Sequence, residues 1–158
     1  MGTRLIAQIM GYLAAVLFAA AMGSIVQTQF NLAALTAMGV NVPVGTWLLT
    51  TGQDLVSFAP AYAIVVAVAL LLAFPVAGIL SRWLPHHRRA LFMLAGGSGV
   101  LAAILLMNTL LPMTLIAATR YAAGTAALAL AGAIGGWLHA SMTARNVRTT
   151  PPESASVS

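Results

Sequence analysis

The chain has 158 residues, 61% of them hydrophobic and 6% charged, with a mean hydropathy of +0.97 and a formal charge of +5. That composition lies outside the range of soluble globular proteins and leaves no room for a soluble catalytic domain. Cysteine and lysine are both absent, which excludes disulfides, thiolate catalysis, cysteine-ligated metals, Schiff-base lysines and the P-loop.

A helix needs roughly 20 mostly apolar residues to cross about 30 Å of hydrocarbon. Four stretches meet that length, at about residues 5–27, 60–82, 90–111 and 115–139. Only helices satisfy their own backbone hydrogen bonds in lipid at this chain length. The expected fold is therefore an all-α integral membrane protein. It is a four-transmembrane-helix bundle over residues 1–145, with short interfacial helices in the first outer loop and a disordered tail over 146–158.

The first span carries an unbroken stripe of small residues four apart, Ala7, Gly11, Ala15, Ala19 and Gly23. Small residues at that spacing let helix backbones approach closely, so Gly11, Ala15, Ala19 and Gly23 are read as a packing face. Met1–Thr3, Arg4 and an apolar run ending near Ala21 also fit a signal peptide. The run continues through Gly23, Ile25 and Val26, so an uncleaved span is expected.

Residues 28–59 form the one sizeable non-spanning segment. Helical patterning over 29–38 breaks at Gly39-Val40-Asn41-Val42-Pro43 and resumes over 46–58. This pattern predicts two short helices capping the bundle at the interface, with Trp47 as an aromatic anchor. Pro60 is then expected in the first turn of the second span, where proline is tolerated. Pro75 falls inside that span and predicts a kink.

The loop after the second span contains His86, His87, Arg88 and Arg89 and reads as a headgroup-facing surface. Together with His139 it has the histidines of a metal site but no accompanying carboxylate or cysteine, so no metal is expected. In the third span, Gly96-Gly97-Ser98-Gly99 resembles the G-x-S-G signature of rhomboid proteases over four residues. That resemblance implies a catalytic serine, with His139 as the candidate base. A position about 12 Å deep for Ser98, against a surface position for His139, denies the pair hydrogen-bond reach. Close helix packing is the simpler account of the glycines.

Arg120 is placed about six residues into the fourth span, roughly 9 Å deep at about 1.5 Å per residue. A charge at the bilayer centre costs about 2.5–3.5 kcal/mol on insertion scales, so Arg120 needs a reason. The expected partner is Asp54, the single acid outside the tail. Gln27, Asn31, Asp54, Asn108 and Arg120 all map to the outer half and are the candidate pocket residues.

Six of the seven arginines flank the spans on one side, whereas 28–59 and the turn near 108–114 contain none. The positive-inside rule then puts both termini in the cytoplasm, with a bacterial inner membrane as the expected location. No nucleophile–base pair, metal site or cofactor motif is present, and no cofactor is expected. The leading functional expectation is a non-enzymatic accessory or structural subunit. It would pack against a larger membrane-protein partner or itself, as a homo-oligomer, and would not bind nucleic acid. The alternative is a homo-oligomeric channel, or a small-solute or lipid-binding carrier, using an outer polar pocket around Arg120.

Overall fold

A computed structural model describes residues 2–110 and 116–145. The tail over 146–158 and the centre of the turn expected near 108–114 lie outside the described residues. The chain forms four long helices: α1, Gly2–Ala37; α2, Val44–Trp83; α3, Arg88–Leu110; and α4, Ala122–Arg145. All four are long and apolar enough to cross a membrane.

Each helix packs on its sequence neighbours, and α4 closes the ring onto α1. Neighbours run antiparallel. Along α1 and α4, Gly11 faces His139, Gly135 faces Ala15, and Gln27 reaches Ala118. Along α1 and α2, Tyr12 meets Phe74, Gly23 meets Tyr62, and Thr28 meets Asp54. These pairings put Arg4, Arg82 and Arg88 towards one end of the bundle and the α1–α2 turn at the other.

The expected interfacial helices are not formed. α1 continues unbroken to Ala37, and α2 starts at Val44, so 28–37 and 44–59 are extensions of the two spans. The polar run Gln27-Thr28-Gln29 interrupts hydropathy without interrupting helix, because it contains neither proline nor glycine. What ends α1 is Gly39, whose φ of 85° occupies the left-handed region. Gly39 N–H donates to Thr36 and Val40 N–H to Leu35, the bond pattern of a Schellman cap. Pro43, extended at φ −61° and ψ 151°, then opens α2.

Pro60 also differs from expectation, since it lies well inside α2 and not at its start. Pro75 is likewise within α2, and the helix runs through both prolines.

The four helices share a layer about 30 Å deep, from Gly11 to near Leu32 on α1 at about 1.5 Å per residue. Its centre is close-packed. Leu70, Val66, Ile104 and Leu128 are fully enclosed, whereas Leu17, Leu72, Leu106 and Leu130 face outward as lipid-contacting residues do. The small-residue stripe is buried inside this layer: Gly11, Ala15, Ala19 and Gly23 all point inward. Gly11 and Ala15 face α4, and Gly23 receives the Tyr62 ring from α2.

The closest backbone approach joins α3 and α4. A Cβ on Gly96 would strike the Gly132 carbonyl, and one on Gly136 would strike the Phe92 carbonyl. The Gly96–Gly99 run is therefore a helix-packing feature.

Candidate functional site

The four helices each contribute one ring to an aromatic cluster near the arginine-rich end. His139 of α4 packs against Phe74 of α2 and Phe92 of α3 at centroid distances of 4.6 Å and 5.0 Å, and the two phenyl rings meet each other edge-on at 5.4 Å, so the three form a triangle. Tyr12 of α1 meets Phe74 edge-on at 6.3 Å. Tyr12 also donates its hydroxyl to the Ala67 carbonyl at 2.6 Å, which fixes the ring.

Arg88 caps the cluster. Its guanidinium carbon lies 5.1 Å from the Phe92 centroid, within cation–π range. One nitrogen donates to the Ala140 carbonyl at 2.9 Å and another to Thr143 Oγ1 at 2.6 Å. These bonds use part of a five-donor fork. They tie the first turn of α3 to the last turns of α4.

This cluster is the back wall of a cleft of about 920 Å³ that opens between the arginine-rich halves of α1 and α2. The volume is at the upper end of the roughly 300–1,000 Å³ typical of small-molecule sites. Leu5, Ile9, Leu70, Leu71, Pro75 and Ile79 supply apolar wall, and Arg4, Arg82 and Arg88 supply the charge. His139 lines the cleft while being 7% exposed. Its Nδ1 is enclosed against Gly11, which leaves Nε2 as the ring nitrogen able to meet a ligand.

The sequence-predicted pocket residues lie at the opposite end, in separate settings. Gln27 Oε1 accepts the Ala118 N–H at 2.9 Å and holds the 3-10 turn Ala117–Arg120 against α1. Asp54 accepts a hydrogen bond from Thr28 Oγ1 at 2.6 Å, which ties the acid to α1. Asn31 is exposed, and Asn108 is half-buried near the end of α3.

Arg120 is not inside the fourth helix. It ends the 3-10 turn before α4 begins at Ala122, and its side chain is exposed. Next to it, Tyr121 stacks on Phe30 at 6.0 Å. The depth of roughly 9 Å reckoned from sequence counted the turn as helix, so no cost of burying a charge in mid-membrane has to be explained.

The three histidines do not converge. His86 and His87 are exposed in a 3-10 turn, His139 is buried, and no group of three metal-ligating side chains occurs among the described residues. Ser98 is exposed, and its hydroxyl donates to the Leu94 carbonyl at 2.6 Å. It borders an apolar groove between α2 and α3, whereas His139 lines the cleft between α1 and α2. The geometry therefore gives no support to a Ser98–His139 dyad.

No protein-family model, curated protein or solved structure matches this chain.

Proposed function

We propose that this is a non-enzymatic membrane protein of the lipid-binding carrier class, holding an amphiphilic anion in the cleft between α1 and α2. The observation that carries the reading is the union of an apolar wall with three arginines in one opening. Guanidinium groups suit phosphate and carboxylate, and their stems extend along apolar surface while the heads stay polar. By the positive-inside rule the cleft opens at the cytoplasmic face, with both termini on that side, as in a bacterial inner-membrane protein.

This reading moves the site from the outer polar residues to the arginine-rich end. It also weakens the argument for an accessory or structural subunit, because the stripe at Gly11, Ala15, Ala19 and Gly23 is used within the bundle. One observation keeps a partner or homo-oligomer as the second reading. The α1–α2 hairpin projects past the start of α4 with Met38, Val44, Leu48 and Leu49 exposed.

Gentle extraction followed by native mass spectrometry tests both readings. A single chain retaining an amphiphile of a few hundred to about a thousand daltons supports the carrier reading. A bare chain held to a stoichiometric second protein supports the subunit reading and removes the carrier.

A further inference from the structure

Among the described residues, the charge in the cleft has no acidic counterpart. Arg4, Arg82 and Arg88 line it, and the only acid among the described residues, Asp54, sits at the other end of the bundle against Thr28. Arg88 keeps donors beyond the two it spends on Ala140 and Thr143. Arg4 and Arg82 are exposed and approach from the facing helices α1 and α2. Behind them stands His139, nine-tenths buried, with its Nδ1 turned to Gly11 and its ring packed against Phe74 and Phe92.

We infer that the cleft takes a dianionic phosphate, a phosphate monoester or diphosphate carried on a long apolar tail. This rests on the carrier reading and names its ligand class. A carboxylate or phosphodiester carries one negative charge, which one guanidinium matches. A phosphate monoester carries about −1.5 to −2 at neutral pH and three acceptor oxygens. Guanidinia contributed by α1, α2 and α3 to the same cleft fit that charge and that number of acceptors.

The headgroup sits at the mouth among Arg4, Arg82 and Arg88. His139 Nε2 meets its inner edge at the back of the cleft. The tail leaves along Leu71, Ile9 and Ile79, where the opening between α1 and α2 is apolar. Tyr12 is already bonded to Ala67 and serves as wall.

The test is a binding comparison on the detergent-purified full chain, using dioleoylphosphatidate, dioleoylphosphatidylglycerol, oleate and inorganic phosphate as probes. Phosphatidate is expected to bind at least about tenfold tighter than each of the others. Arg4→Gln with Arg82→Gln is expected to bring it down to the phosphatidylglycerol level. Both arginines are exposed, so that variant keeps the fold, which circular dichroism and thermal melting verify.

Equal binding of phosphatidate, phosphatidylglycerol and oleate would overturn the dianion and leave the carrier reading standing. Binding of none of the lipids would overturn both. Inorganic phosphate binding as tightly as phosphatidate would overturn the tail and make the ligand a free anion. An unchanged preference in the double variant would remove the arginines from the site.

Discussion

His139 and Phe74 stack at 4.6 Å, joining the fourth helix to the second across the bundle. With Phe92 5.0 Å from the imidazole and 5.4 Å from Phe74, this contact makes His139 one corner of a ring cluster drawn from all four helices. His139→Ala removes that ring and leaves a cavity, at an expected cost of about 2–5 kcal/mol. His139→Phe restores the ring but not the nitrogen. Thermal unfolding in detergent should therefore rank wild type and His139→Phe together, well above His139→Ala. A His139→Ala protein as stable as wild type would contradict the cluster's structural role.

The Arg88 clamp predicts a smaller effect. Thr143→Val deletes the hydroxyl that accepts from Arg88 at 2.6 Å and also donates to the His139 carbonyl at 2.8 Å. A loss of roughly 1–2 kcal/mol is expected for a hydrogen bond to a charged group. Hydrogen exchange should rise in the last turns of α4 and not in its middle. Uniformly raised exchange along α4 would show that the clamp is not local.

Glycine positions separate into three classes. Gly136→Val sets side-chain atoms against the Phe92 carbonyl and must push α3 from α4, so a destabilisation of about 1–3 kcal/mol is expected. Gly52→Ala meets nothing within 4 Å and replaces a poor helix former in α2, so it should gain up to about 1 kcal/mol. Gly39→Ala should cost about 1 kcal/mol because of its left-handed backbone, with Gly39→Asn milder. Melting temperatures of the four variants give the ranking directly.

Thr28 and Asp54 should be coupled. Their 2.6 Å bond predicts that Thr28→Val and Asp54→Asn lower stability non-additively, by an interaction of about 0.5–1.5 kcal/mol. Additive losses would mean that the bond contributes nothing to holding the α1–α2 hairpin. The companion cycle of Asp54→Asn with Arg120→Leu measures the pairing expected from sequence alone.

The sequence was legible where hydropathy and small-residue spacing act along one helix. The four spans and the inward face of Gly11, Ala15, Ala19 and Gly23 follow from those patterns, and Gly39 and Pro43 mark the turn. The helix ends were less legible. Gln27, Thr28, Gln29 and Asp54 read as the end of a span, although polar residues with good backbone geometry continue a helix past the membrane. The same rule misplaced Arg120, since Ala117–Arg120 has helical composition but forms a separate 3-10 turn.

The cleft was illegible because its parts lie far apart in sequence, and Tyr12, Phe74, Phe92 and His139 each look like ordinary span residues. One signal was available: α4 continues to Arg145, so His139 lies more than a turn from the helix end and not at the surface.

The most direct test of the carrier reading compares two leucines of nearly equal exposure. Leu71 borders the cleft and is 60% exposed, while Leu130 of α4 is 59% exposed and does not border it. A photo-crosslinking residue is placed at each position in native membranes, and the adducts are weighed. The account predicts an anionic amphiphile enriched at position 71 over position 130, and lost from position 71 when Arg4→Gln and Arg82→Gln are added. The same mixture of bulk lipids at both positions, unchanged by the arginine substitutions, would contradict it.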